Sequence, residues 1–596
     1  MKSNSSSVNV ESVLLIICSV LLLYLFSVPV SIKWYMANVP SGDGFTYASG
    51  YFQLLDEIHN NGYLAEVHRI FRSPWRYWNQ PLLVAIFSPL LVKQAFSLAI
   101  INFVALLLST VAMYRLYWIV TKSSWISLLL AFGFWFYPCS YGFAGAPDVN
   151  LLSLSIDFVH VHTIAIAVAT TLTFALNPSN LVHALIAGVC SGIAVWSRGN
   201  SPPYLAISIC IPVFFVLYQS FWQKRGDVSR VRLGLVAYLI LALLLTRWFY
   251  LINYEAIRTY YSAAFSGEAL AGGSFEKAIT SLSQYRDGFF RLAVGEHRYQ
   301  NWVGQLWLRN VLCILPNAFA IFATWYCWMP STRMNEWQRR SVRLIVTNGL
   351  FLFFGIFLFL TVGLRVILQE FGLATFMPMA IGFQLIVSAC VLRFSFERDW
   401  RIESSFRRRA VAITVLLLAC SITVSPIDRS NLRAGVVSGR DMEMFSIGID
   451  RWADPGKLAF LWYGTYNRSV INYFRIKNDL PPYQVYENEF FDALWIPTGP
   501  PNKERMTQAL DKIFSEADFI ILPEKLSSYA DGHVFPLNTY PVVLDDFLNS
   551  RPRLPFKIRE RIIESSSNSL LLLERIDPKD KCVGCELFNW PLRKGP

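Results

Sequence analysis

The sequence predicts an α-helical polytopic membrane protein with about eleven transmembrane helices, interfacial helices in its first outer loop and a C-terminal α/β domain outside the membrane. Three observations predict it. The 596-residue chain is 54% hydrophobic and only 16% charged, with a mean hydropathy of +0.38, whereas soluble domains carry about 25% charged residues. That balance excludes a disordered chain, a fibrous repeat and an ordinary cytosolic enzyme. The 19 Trp, 27 Tyr and 45 Phe suit a chain with many lipid interfaces, where aromatic rings collect. Finally, the net charge of +12 is unevenly spread. Basic residues form short runs between apolar stretches: Lys224, Arg225, Arg230 and Arg232, then Arg333, Arg339, Arg340 and Arg343, then Arg393, Arg398, Arg401 and Arg407 to Arg409. This is the positive-inside pattern of cytoplasmic loops, and it needs no nucleic acid to explain it.

The first apolar run, residues 13–32, is long enough to cross a hydrocarbon core of about 30 Å, which takes about 20 helical residues. It lacks a small-residue cleavage site and reads as a retained anchor, with Lys2 placing the N-terminus in the cytoplasm. Further runs lie near residues 95–120, 125–144, 161–177, 182–197, 203–220, 233–250, 303–328, 343–364, 372–393 and 410–425. Counted alternately from an inside start, they leave every arginine-rich run in the cytoplasm. A transmembrane catalytic domain is therefore expected over residues 1–425, with outer loops at 33–80 and 252–301. Outer loops of that size are usually functional or lid-like, and Gly272–Gly273 divides the second into two amphipathic stretches.

Residues 426–596 are enough for a separate soluble domain. Residues 457–463, 518–522 and 569–574 read as buried strands, and 467–479 and 506–517 as helices, an alternation that argues for a small α/β domain. Eight of ten cysteines lie in or beside spans, where Cys acts as a small apolar side chain. Cys582 and Cys585 lie in the outer domain. A single C-x-x-C is half a zinc ribbon, so a local disulfide is the better reading in an oxidising compartment. Asn467-Arg-Ser469 is an N-glycosylation sequon.

Three groups of residues could carry chemistry. Asp43 precedes Tyr47, Tyr51, Leu54 and Ile58, whose helical spacing lets a helix lie in the membrane interface. Asp43 could simply cap that helix, and a capping carboxylate can also face a cavity. Asp148 precedes the fourth expected span, which opens with Asp157, His160 and His162. Asp157 and His160 share a helical face and His162 points elsewhere. This pair could line a polar cavity or contribute to a divalent metal site, for which two ligands are too few. Arg198, Arg247, Arg309 and Arg365 fall at outer ends of spans, where the positive-inside rule disfavours them. They are either snorkelling anchors or, through arginine's planar fork, a clamp for a lipid phosphate. Arg309 is expected about two turns inside its span. His297 lies at the foot of the eighth span.

The order of these parts resembles the GT-C superfamily of polyprenyl-phosphate-sugar-dependent glycosyltransferases, which includes protein O-mannosyltransferases and bacterial aminoarabinose transferases. A first span is followed by a large outer loop with an early acidic residue and a tyrosine (Asp43, Tyr47). Next come an acidic residue opening the fourth span (Asp157), a small-residue span ending in Arg198, and a soluble outer domain. The resemblance covers most of the chain and implies that Asp43 is the catalytic base and Asp157 a second acidic position. It implies an inverting transfer of sugar from a polyprenyl-phosphate carrier to a glycan, lipid or protein acceptor. Tyr47, Arg198, Arg247, Arg309, Arg365, His160 and His297 would then contact substrate. No cofactor is certain, and a divalent metal at Asp157 and His160 stays open. Other classes that fit a polytopic chain are a lipid-linked glycan polymerase or ligase and a lipid or glycan transporter. The expected location is a bacterial plasma membrane, with the C-terminal domain extracytoplasmic.

Overall fold

A computed structural model describes residues 10–37, 42–72, 77–133, 156–198, 201–222, 228–265, 304–358, 372–398, 439–451, 457–461, 468–483, 487, 489–491, 502–524, 526, 539–551, 553–563, 569–576 and 587–589. Its helices are α1 (Val10–Ala37), α2 (Gly42–Asn61), α3 (Tyr63–Arg72), α4 (Asn79–Phe87), α5 (Ala95–Leu98), α6 (Ile100–Thr121), α7 (Ser124–Gly133), α8 (Ile156–Leu176), α9 (Leu181–Val195), α10 (Ser201–Trp222), α11 (Val228–Phe265), α12 (Leu306–Trp328), α13 (Glu336–Leu358) and α14 (Gly372–Glu397). Beyond them come α15 (Gly439–Gly448), α16 (Arg468–Lys477), α17 (Lys503–Glu516) and α18 (Thr539–Ser550). The strands are β1 (Leu458–Phe460), β2 (Phe519–Pro523), β3 (Arg553–Ile563), β4 (Ser569–Arg575) and β5 (Leu587–Asn589).

Among the described residues six helices are long and apolar enough to cross a membrane: Ile100–Thr121, Val159–Leu176, Tyr204–Phe221, Val228–Glu255, Leu306–Trp328 and Met379–Glu397. Val10–Leu25, Ser124–Gly133 and Leu181–Val195 are apolar and shorter. The expected span at 410–425 lies outside the described residues, as do the ends of those at 125–144 and 343–364.

The chain divides into two units. The first comprises Met1–Ser31, Leu54–Ile257 and Gly273–Ile427, and the second Ile32–Gln53, Arg258–Gly272 and Asp428–Pro596. In the first, α8 is the central helix. Its Val161, Ile164, Ala165, Val168 and Leu172 are at most 1% exposed, which fits a helix walled by neighbours rather than by lipid. Small residues set the closest approaches. A Cβ on Gly188 would sit 2.7 Å from the Tyr238 carbonyl oxygen, and one on Gly192 would sit 2.6 Å from Leu245 Cβ. The backbones of α9 and α11 therefore touch at Gly188, and one turn on the Leu245 side chain presses against Gly192. Gly349 of α13 and Gly382 of α14 do the same, each Cβ falling within 2.8 Å of the other's carbonyl oxygen. By contrast, Leu243, Leu244 and Leu251 of α11 and Trp307, Ile314, Phe322 and Trp325 of α12 are exposed, as suits helices facing lipid.

Helices α2 and α3 turn at Gly62, whose φ of +89° suits glycine, with no Cβ to clash. Arg69 ties the two together by pairing with both Glu57 and Glu66. Burial of the Glu66 carboxyl opposes its ionisation, yet hydrogen bonds from Arg69 and Asn61 outweigh burial and hold it below its ordinary value. Glu57 goes the other way, raised chiefly by burial.

The second unit carries a five-stranded sheet in the order β1-β2-β4-β3-β5. Only β1 and β2 run parallel; the remaining neighbours are antiparallel. The continuous apolar runs of β2 and β4 suit central strands, and Ile520, Ile521, Leu522 and Leu570 to Leu573 are fully buried. Phe514 of α17 packs on Phe547 of α18 and Phe556 of β3, at 5.2 and 5.8 Å between ring centroids. Arg475 of α16 is fully buried and forks onto Asp450 at 2.8 and 3.2 Å. Phe52 of α2 lies against Tyr473 at 5.4 Å. The strands and helices expected near 457–463, 467–479, 506–517, 518–522 and 569–574 are present as β1, α16, α17, β2 and β4. Two further strands, β3 and β5, complete a mixed sheet.

Candidate functional site

Helices α8, α9 and α10 form an up-down-up run, so the start of α8, the end of α9 and the start of α10 meet at one end of the first unit. The polar residues gather there. His160, 2% exposed, faces α10 through Ser201 Oγ, 3.1 Å from its Nδ1, while Tyr204 lies edge-on at 6.0 Å. His162 faces the opposite way, its Nδ1 2.7 Å from Ser109 Oγ of α6, the divergence expected for positions two apart on a helix. Thr163 Oγ1 donates to the His160 carbonyl oxygen and lies 2.7 Å from Ser197 Oγ.

Arg198 sits in the turn between α9 and α10, half-buried, with fully buried Ser197 and Ser201 on either side. Ser201, three residues after Arg198, bonds to His160, so the turn that carries Arg198 meets the start of α8. An aromatic cluster backs the turn. Trp78, fully buried, contacts Phe71, Trp196, Trp248 and Phe249 at 5.1–5.5 Å. Trp196 Nε1 donates to the Leu245 carbonyl oxygen at 3.0 Å, joining the turn to α11. Arg247, exposed on α11, adjoins Trp248 of this cluster.

The remaining predicted residues are distributed as follows. Asp43 is the second residue of α2 and Asp157 the second of α8, and the side chains of both lie outside the described residues. Tyr47 is half-buried on α2 one turn after Asp43. Arg309 is the fourth residue of α12, in the first turn of that helix rather than two turns within it. The apolar helix starts at Leu306, three residues later than the apolar run in the sequence. Asp148, His297, Arg365, Gly272–Gly273, Cys582 and Cys585 lie outside the described residues. Among the described residues no group of three or more His, Cys, Asp or Glu side chains is arranged to hold a metal.

Sequence reasoning missed Asn79, Thr163, Ser197 and Ser201. Each is a common small polar residue with no motif around it, and only the packing of distant helices makes them partners. A different cluster occupies the opposite end of the bundle. Arg393 of α14, 4% exposed, pairs with Glu397 and donates to the Tyr326 and Met329 carbonyl oxygens. Tyr326 also donates to Glu397, at 3.1 Å.

No protein-family model matches the sequence, and no curated protein is similar to it in sequence. Solved structures are similar in fold. The apo structure of ArnT from Cupriavidus metallidurans matches with a TM-score of 0.50 at 10% identity, over 92% of this chain and 97% of that one. An archaeal oligosaccharyltransferase, AglB from Archaeoglobus fulgidus, solved with an inhibitory peptide and a dolichol-phosphate, matches over 89% of this chain and 72% of its own. Its TM-score is 0.42 and its identity 14%. The first likeness runs almost from end to end of both chains and, with the apolar helices, makes this an integral membrane protein. The likeness to the ArnT structure shows a shared fold, in line with the order of parts read from the sequence.

Proposed function

We propose that the protein is an inverting glycosyltransferase that moves a sugar from a polyprenyl-phosphate carrier to an acceptor hydroxyl or amine at the outer face of the membrane. The observation that carries this reading is the place of Arg198 in a polar turn whose flanking serines are fully buried and bonded to Thr163 and His160, at one end of an apolar bundle. A guanidinium in a low-dielectric setting is a strong site for developing negative charge. ArnT from Cupriavidus metallidurans, whose apo form shares the fold, has also been solved with undecaprenyl phosphate.

The chemistry asks little more. An acceptor hydroxyl is a poor nucleophile, so a carboxylate within reach takes its proton as the new bond forms; Asp43 has that role. The leaving group is a lipid phosphate, already a weak base, so no general acid is needed. Arg198, with Arg247, Arg309 and Arg365, stabilises its charge. Direct displacement without a covalent intermediate inverts the anomeric centre, and a second catalytic carboxylate of the glycosidase kind is not required. Asp157 and Tyr47 orient the acceptor or donor, and His160 and His297 contact the donor. Residues 1–425 act as the catalytic membrane domain, and 426–596 as its extracytoplasmic partner.

The test is Asp43→Asn assayed with a polyprenyl-phosphate sugar. Transfer should fall to background while protein level and melting temperature stay at wild-type values. Retained turnover would overturn the assignment of the base.

A further inference from the structure

Position 79 is a buried asparagine, 5% exposed, at the first residue of α4. A buried amide must satisfy its donors, and both N–H groups of this one go to the α9–α10 turn. Asn79 Nδ2 donates to the Ile193 carbonyl oxygen at 2.9 Å and to Ser197 Oγ at 2.6 Å. Backbone bonds run alongside: the Trp78 and Asn79 N–H groups both donate to the Trp196 carbonyl oxygen, at 2.7 and 3.4 Å. The Ile193 and Trp196 carbonyls belong to the end of α9, and that of Ile193 also accepts the Trp196 N–H at 3.0 Å. Past Arg198 the chain is pinned again, because Ser201 N–H donates to the Arg198 carbonyl oxygen at 3.0 Å. The residues before and after Arg198 are thus tied to α4, to Thr163 on α8 and to His160. The tie to α4 spans 118 positions of sequence.

We infer that Asn79 is a positioning residue, whose two amide donors fix the α9–α10 turn so that the Arg198 guanidinium is presented to a phosphate. The inference rests on the reading of Arg198 as a phosphate ligand. Asn79 itself touches no substrate. It acts through Arg198, so its effect must vanish when Arg198 is gone.

A double-mutant cycle on the full chain in detergent tests this, with a polyprenyl phosphate as the probe and the uncharged polyprenol as control. Asn79→Leu keeps the branched shape of the side chain, with some added bulk, and removes both donors without adding charge. It should weaken polyprenyl-phosphate binding roughly tenfold, as expected when a binding group is misplaced, and leave polyprenol binding and the melting temperature unchanged. In an Arg198→Ala background it should add nothing, the non-additivity expected of coupled residues. Additive losses, or equal weakening toward polyprenol, would mean that Asn79 is merely structural and would overturn the inference. Unchanged phosphate binding in Asn79→Leu, with a loss in Arg198→Ala, would overturn it too and leave the proposed function standing. Unchanged binding in Arg198→Ala would remove the phosphate reading and the inference with it. If Asn79→Leu does not fold, Ser197→Ala removes one acceptor of the same amide and should show a smaller loss in the same direction; wild-type phosphate binding in that variant would overturn the inference.

Discussion

The two ends of the helical unit use arginine in opposite ways. At one end Arg393 is the hub: its guanidinium meets Glu397 and two main-chain carbonyls, and Tyr326 closes the group. At the other, the hub is neutral. Asn79, Ser197, Thr163, Ser201 and His160 bond to one another or to the main chain around the turn that carries Arg198. A charge that satisfies the protein's own acceptors holds helices together. Around Arg198 the turn is held instead by bonds among uncharged side chains and the main chain.

The largest expected effect is at the first end. Arg393→Ala takes the guanidinium away from Glu397 and from two carbonyl oxygens, and loss of one partner of a buried pair costs about 3 kcal/mol. A thermal melt in detergent should show the chain markedly destabilised. A wild-type melt would break the comparison. Gly382→Ala comes next. The new Cβ would stand 2.7 Å from both the Gly349 carbonyl oxygen and the Phe353 nitrogen, main-chain atoms that cannot swing aside. Overpacking of this kind costs about 1–3 kcal/mol, readable in the same melt.

Arg198→Ala should barely move the melt, by about 0.5 kcal/mol or less, while weakening polyprenyl-phosphate binding by about 2–5 kcal/mol. A large stability loss without a binding loss would place Arg198 in the same class as Arg393. The smallest effect concerns pH. Glu66, with its pKa lowered, lends the α2–α3 corner stability that is complete above about pH 4.3, the ordinary glutamate value. That stability is lost as pH falls through the lowered one. Glu57, raised, works in the opposite sense over the range above its ordinary value, so the net acid dependence is shallow. Glu66→Gln should flatten it further, as read by hydrogen exchange across residues 57–69 at neutral and acid pH.

Periodicity made much of the fold legible. Tyr51 and Leu54, at helical spacing, do form one face of α2, but that face is buried in the protein rather than laid on lipid, and the unbroken apolar runs of β2 and β4 became the centre of the sheet. β3 was not legible, because Arg553, Pro555, Lys557, Arg559, Glu560 and Arg561 hide its apolar positions and the register shifts between Ile558 and Glu560. An α/β reading also did not foretell that only one strand pair would be parallel. At the site, Arg198 and His160 stood out because ionisable groups in apolar surroundings are conspicuous. Asn79 did not, since its partners lie more than a hundred positions away.

The glycine seam of α9 and α11 bears on traffic. With Gly188 and Gly192 pressed against Tyr238 and Leu245, no acyl or isoprenoid chain can slip between these two helices. Under the proposed function, a lipid reaching Arg198 sideways from the bilayer would have to come past some other pair, and bulkier residues at 188 or 192 would pry open a doorway where the protein keeps a wall.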